Sequence, residues 1–501
     1  MRSALKWVLL LACVRATIAL AAGASDAFTE TDGRFENFRL DAHIPGLVYG
    51  VVIGGRLVHV GAFGVQDLQS QRPVTADSLF RIASMTKAFT ALTVLKLRDD
   101  GRLQLDALAE SYVPELQGWV YPTRDSPRIR VRDLLNHVAG FVTDDPWGDR
   151  QTPLPEADFT RLLKRGVPFT RAPETGYEYS NLGFALLGRI ITNVSHQPFE
   201  QTITATLLHP LHMDSSGFVA AAAPPERRAL GYRWEDDGWR PEPTLGPGAF
   251  GAMGGLQTSA ADYARWVAFV LQAWPPRDDP DDGPVRRATV RELAQGSNFP
   301  TARRRPALGS FPPVEQVVNY GMGMRVVLDD SLGLTLSHSG GYPGYGSHVL
   351  LLPERGVAIF AFANRTYAAP VPPVWESALA LLAAGALPAR HGVPVSAPLA
   401  RAYRTAAQIY AAGDVGPARN QLAMNVLLDR SAEGRARDLA ELKRQVGECD
   451  SSVPIVPNGA LTGEFTWSCR HGRLHGALEL APTEPPTIQS LQLEAVRDPL
   501  R

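Results

Sequence analysis

Of 50 basic residues in the 501-residue chain only five are lysines, and only three residues are cysteine. The formal charge is -1 at pH 7, with neither a basic stripe nor an acidic tail. That balance argues against nucleic acid as a partner and gives no sign of a charged membrane surface. Past the N-terminus no apolar stretch is long enough to cross a bilayer, so no stable membrane span is expected. Gly246 to Gly251 spells G-x-G-x-x-G but follows a proline-rich segment instead of a strand, which disfavours a dinucleotide site. No G-x-S-x-G elbow occurs. What remains is the composition of a globular protein, 45% hydrophobic and 20% charged, in a chain long enough for two domains.

The first 24 residues read as a signal peptide. Arg2 and Lys6 precede an apolar run from Trp7 to Ala22, and Ala22-Gly23-Ala24 fits a cleavage site. A periplasmic or secreted location is therefore expected, with lipid anchoring at Cys13 as the lesser alternative. Once such a segment is removed, Cys449 and Cys469 are left. In an oxidising compartment they form a candidate disulfide. Zinc held by these two with His471 and His475 is the weaker reading, because no C-x-x-C pair is present. No metal is expected.

A short helix is expected over Arg34 to Asp41. Leu47 to Ile53 and Arg56 to Gly61 then read as a hairpin turned by Gly54-Gly55. From Ile82 the apolar period becomes helical through Asp100, and Gly101 stops it. Residues 110 to 320 read as helices joined by long loops. One helix is expected from Ala260 to Gln272, capped by Ser259. Strands return at Leu334 to His338, His348 to Leu352 and Val357 to Ala363, followed by a helix over Pro373 to Ala384. The fold class is α+β, an α/β sandwich: an antiparallel sheet flanked by helices, with an all-helical and loop subdomain. After a proline-punctuated linker, residues 399–501 form a small C-terminal α+β domain. It holds helical stretches over Leu399 to Ala412 and Arg419 to Gly447. Strands over Phe465 to Cys469 and Leu474 to Leu480 flank a turn at His471-Gly472.

Three short motifs carry chemistry. Ser84-x-x-Lys87 places a hydroxyl and an amine one helical turn apart, and a serine needs a base within hydrogen-bond reach to act as a nucleophile. A lysine can be that base if its surroundings push it toward neutrality. Alone the motif is weak, since Ser3 and Lys6 repeat it inside the expected signal peptide. Tyr179-Ser180-Asn181 offers a phenol that could relay a proton and an amide that could hold the lysine or a substrate. His338-Ser339-Gly340-Gly341 ends a strand with a base, a hydroxyl and two glycines that permit close approach to backbone.

In this order the three motifs resemble the serine β-lactamase and penicillin-binding protein superfamily, in its class C-like branch. The framing stretches SLFRIASMTKAFTALTVLKLRDDG, LLNHVAGF, YEYSNLGFALLGRII and GAMGGLQTSAADYARW share the likeness. So does LSHSGGYPGYGSHVLLLPERGVAIFAFAN. The resemblance spans about residues 30–390 and leaves 399–501 without a role. It implies that Ser84 attacks a carbonyl and that Lys87 and Tyr179 share the general-base work. It also implies that Asn181 bonds the substrate or Lys87, that His338, Ser339, Gly340 and Gly341 bind substrate, and that the Ser84 and Gly341 N–H groups form an oxyanion hole. No cofactor is implied.

One departure matters. Class C β-lactamases generally carry lysine at the position of His338, which places β-lactams behind esters and D-amino-acid peptides as substrates. A histidine that titrates near neutrality would bind a substrate carboxylate less well as pH rises. The expected function is an exported serine hydrolase acting on small esters or D-peptides. The alternatives are a β-lactamase or a non-catalytic penicillin-binding or sensor-like protein.

Overall fold

The computed structural model describes residues 27–144, 147–296 and 298–496. The expected signal peptide and Cys13 lie outside the described residues. The chain forms two compact units that part after Arg390, the short Pro275–Arg277 segment being grouped with the second.

The first unit is the expected α+β sandwich. It is built on a nine-stranded sheet whose paired strands are all antiparallel. In chain order the strands are β1 (Gly46–Ile53), β2 (Arg56–Asp67), β3 (Arg72–Pro73), β4 (Thr301–Arg305), β5 (Val314–Tyr320), β6 (Arg325–Asp329), β7 (Gly333–Tyr342), β8 (Tyr345–Leu352) and β9 (Val357–Ala363). Across the sheet they run β3-β2-β1-β9-β8-β7-β6-β5-β4. An interior strand, β9 (VAIFAFA), is buried along its whole length, as a strand covered on both faces must be. Alternation divides its side chains between two cores: Phe360 and Phe362 face one, Ile359 and Ala361 the other. Gly54 and Gly55 have φ of +57° and +76°, the pair of left-handed residues that a two-residue hairpin turn requires.

One face is covered by helix α1 (residues 27–41), longer than expected, and by α5 (Val371–Ala383). The other carries α2 (Thr86–Asp99) and α4 (Ala260–Leu271), with α3 (Asn181–Ser195) packed on α2. Ser259 caps α4 as expected, its hydroxyl accepting from the Asp262 N–H at 3.1 Å. The sequence suggested one apolar face for α2. In the fold its residues from Thr86 to Leu95 are all buried, so this helix runs through the core.

Strands β4 and β5 contradict the helix-and-loop reading of the region up to residue 320, and β6 follows in a stretch for which the sequence reading named no element. Polar and arginine-rich stretches such as Thr301–Arg305 carry no apolar alternation, because a sheet edge needs none.

In the second unit α6 (Ala397–Ala412) and α7 (Ala432–Val446) accompany a small antiparallel sheet. Its long strands are β10 (Thr462–Cys469), β11 (Gly472–Ala481) and β12 (Thr487–Val496), of which the sequence reading missed the last. Cys449 stands opposite Cys469 across an antiparallel pair and is disulfide-bonded to it. The single helical stretch expected from Arg419 to Gly447 is broken. Ala423 gives its N–H to Ile488, and the Ser431 hydroxyl starts α7 afresh by accepting from the Gly434 N–H.

Candidate active site

Ser84 stands on a single 3-10 turn, Ala83–Met85, immediately ahead of α2. Ala83 has φ +49°, a left-handed conformation costing a side-chain-bearing residue about 1–3 kcal/mol, and such outliers gather at functional sites. The turn is held from the sheet side. Ser347 donates its hydroxyl to the Ile82 carbonyl at 2.7 Å, and Gly340 lies flat against the same turn. A Cβ on Gly340 would come within 2.3 Å of the Ile82 oxygen and 3.0 Å of the Ala83 Cβ. The space that Gly340 leaves is thus filled by the Ser84 turn.

Lys87, fully buried in the first turn of α2, donates to Ser84 Oγ at 3.0 Å, to Asn181 Oδ1 at 2.8 Å and to the Met253 carbonyl at 2.9 Å. Its ammonium lies 4.9 Å from the centre of the Tyr179 ring. The sequence left two roles open for Asn181; here its side-chain oxygen is committed to the lysine.

Asp144, to which the sequence reading gave no role, explains how Asn181 is fixed. Its two carboxylate oxygens accept the backbone N–H groups of Asn181 and Leu182 at 2.6 and 3.0 Å, an acid satisfying the open amides of a helix start. His137 was also missed. It sits in left-handed backbone, accepts the Ser180 N–H at Nδ1 (3.2 Å) and packs its ring 4.3 Å from that of Tyr179. Only the segment LLNHVAGF hinted at it.

A cavity of about 970 Å³ opens over the nucleophile, with Ser84, Tyr179, His338, Ser339 and Gly341 on its wall. His338 is not the titrating group that the sequence suggested. Its Nδ1 bonds the Ser339 carbonyl at 2.7 Å and so carries the proton, leaving Nε2 to accept from the Tyr320 hydroxyl at 2.8 Å. Burial, and then the nearby Lys87 charge, push its pKa down to about 3. It is a neutral strut between β5 and β7, not a cation for a carboxylate.

Ser339 gains its orientation from an unforeseen pair. The Trp375 indole N–H donates to His348 Nε2 at 3.2 Å, which places the ring proton on Nδ1, 2.9 Å from Ser339 Oγ. Ser339 accepts there and keeps its own proton for the cavity. His348 is buried and also held down to about 3, by burial and then by Arg325.

The family model described as Beta-lactamase matches residues 26–384, and the chain belongs to that family. It is 28% identical over 347 residues to Protein flp of Staphylococcus aureus, covering 68% of this chain and 64% of that protein. The chain thus spans slightly under two thirds of the length of these curated relatives. It is 31% identical over 237 residues to esterase EstB of Burkholderia gladioli, covering 45% of this chain and 58% of the esterase. Among solved structures, the octameric penicillin-binding protein homologue from Pyrococcus abyssi superposes with a TM-score of 0.58 at 19% identity. That match covers 94% of this chain and 96% of the homologue. D-alanine carboxypeptidase AmpC from Burkholderia cenocepacia gives 0.56 at 21% identity, covering 72% and 99%. At these identities the two structures speak to the fold alone.

Proposed function

We propose that this chain is an exported serine hydrolase that cleaves small esters or peptides containing D-amino acids through an acyl-enzyme on Ser84. One observation carries the reading: Ser84 Oγ lies 3.0 Å from the amine of a fully buried lysine that Asn181 and Met253 hold in place, at the floor of an open cavity. With its amine uncharged, Lys87 takes the Ser84 proton as Oγ attacks the carbonyl. Tyr179, whose ring packs by the lysine, passes that proton to the leaving group and then activates the deacylating water. The N–H groups of Ser84 and Gly341, both on the cavity wall, receive the oxyanion. Export is supported by the signal-like N-terminus and by the Cys449–Cys469 disulfide, which suits an oxidising compartment.

The test is labelling with a fluorophosphonate and with a fluorescent penicillin, wild type against Ser84→Ala. Fluorophosphonate labelling that disappears in the variant is expected. If neither reagent marks Ser84 in folded protein, the hydrolase reading falls and a binding role replaces it. Turnover of a short nitrophenyl ester against a D-alanyl dipeptide then separates esterase from peptidase, and penicillin turnover would restore a β-lactamase.

A further inference from the structure

The cavity does not end at the motif residues. It continues past Ser339 along the edge half of the sheet, where its wall includes Arg303, Arg305 and Arg325. In register, Arg303 stands beside Gln316 and Gln316 beside Asp329, while Arg325 stands beside Ser337. Paired positions share a face, and Arg305, two residues from Arg303 on the same strand, shares it too. Strand spacing of about 4.8 Å puts β4 roughly 14 Å across the sheet from β7.

The protein offsets only part of the positive charge there, pairing Arg305 with Asp329. Asp329 is the local carboxylate, and it is saturated. Its Oδ2 accepts from Arg305 Nε at 2.9 Å and from Gln316 Nε2 at 2.8 Å, and its Oδ1 accepts the Ser331 and Leu332 N–H groups. Arg305 is only 5% exposed, yet its Nη1 and Nη2 find no hydrogen-bond partner among the described residues. Unpaired donors buried in this way are costly unless something arrives to accept from them. Arg303 bonds, among the described residues, only the neutral side chain of Gln316, at 3.2 Å. Among the described residues neither Arg303 nor Arg325 has a carboxylate within ion-pair distance, while the neighbouring Arg304 reaches Glu315. Burial, and then the like charge of Arg325, hold the Arg303 guanidinium below its ordinary value. Asp149, also on the cavity wall, acts on Tyr342 at the far end of β7. Leu308, Val371, Pro372 and Trp375 give the same wall an apolar part, beside Ser337 and His348.

We propose that this arm is a second subsite that takes a carboxylate at the distal end of the substrate, with Arg303 and Arg325 gripping it, Arg305 behind them and an aliphatic body lying across Trp375. The inference rests on the hydrolase reading for what happens at the other end of that substrate. The preferred ligand is a half-ester of a long dicarboxylic acid, or an acyl chain of similar length ending in a carboxylate, over the matching neutral ester.

Binding is measured by calorimetry on Ser84→Ala protein, which cannot turn over the ligand, using methyl hydrogen suberate and dimethyl suberate. The half-ester should bind about tenfold more tightly or better, the value of one charge-assisted pair. That preference should collapse in 0.5 M salt and in Arg303→Gln, whose exposed side chain is not needed for folding. Equal affinity for the two esters, binding of neither, or a preference indifferent to both salt and Arg303→Gln overturns the subsite. Wild-type protein with nitrophenyl monoesters of suberic acid supplies the separate readout. Failure to cleave them, while Ser84→Ala still prefers the half-ester, sinks the hydrolase reading and upholds the subsite.

Discussion

Mild acid should destabilise the larger unit before its carboxylates titrate. His338 and His348 are buried, held neutral, and have pKa values near 3; burial also holds His137 well below its ordinary value. In the unfolded chain each returns to about 6.5. The folded pKa is the lower one, so between about 6.5 and 3 the unfolded chain binds more protons and stability is lost as pH falls. At pH 5 the penalty is about 2 kcal/mol for each of His338 and His348, or roughly 4 kcal/mol for the pair. His137 adds to it with the same sign. Asp329 and Asp99 are held below the usual carboxylate range and lose their contribution only at lower pH. Burial pushes Asp133 and Glu200 up, so they work in the opposite direction, but only as the pH nears the carboxylate range.

Urea unfolding at pH 7, 6 and 5, followed by tryptophan fluorescence, gives the measurement. The midpoint should fall steadily below pH 6.5 while the m-value stays fixed. His348→Gln lowers stability at pH 7, since it disturbs the bonds to Trp375 and Ser339. It should nevertheless flatten the acid slope by about 1.4 kcal/mol per pH unit, one histidine's share. A midpoint that is level or rises from pH 7 to 5, or a slope that His348→Gln leaves intact, would refute the reasoning.

Three substitutions test the architecture around Ser84. Gly340→Ala drives a Cβ to within 2.3 Å of the Ile82 oxygen, so the turn or the strand must shift. Activity should fall at least about 100-fold, as for a reacting group displaced by 1 Å, and thermal scanning should still show a folded protein. Asp144→Ala removes the acceptor for two N–H groups at the start of α3, costing about 1–2 kcal/mol in chemical denaturation. Because Asn181 then loosens its hold on Lys87, kcat should drop more than KM rises. Trp375→Phe leaves His348 Nε2 buried without its donor at a cost of about 1–3 kcal/mol, readable as a lower Tm, and should raise KM through Ser339.

Reading the residues alone located most of the sheet centre and named side chains that the fold brings together, for a physical reason. Central strands such as Val357–Ala363 must be apolar on both faces, and Ser84, Lys87, Tyr179 and Asn181 lie in short motifs whose spacing is itself the signal. The edge strands escaped because Thr301–Arg305 has no core to face. The supports escaped because their partners are remote in sequence. Asp144 acts 37 residues before Asn181, and Trp375 acts 27 residues after His348. No local pattern announces such pairs.

His338 shows how composition alone misdirects. A histidine at the end of a motif strand invites a pH-dependent role, but a side chain's charge is decided by what surrounds it. Here the imidazole lies buried beside the nucleophile, and a cation at that depth is opposed first by burial and then by the neighbouring Lys87. The imidazole answers by staying neutral and bonding Tyr320 and the Ser339 carbonyl. Cationic side chains on the cavity wall then stand one to three strands away, where Arg325 and Arg303 are exposed. Guanidinium, unlike imidazole, keeps its charge across the accessible pH range. Recognition of an acidic substrate should therefore be level from pH 6 to 8, where a charged His338 would have made it decline. A KM for suberate half-esters that rises tenfold over that range would return the role to the histidine.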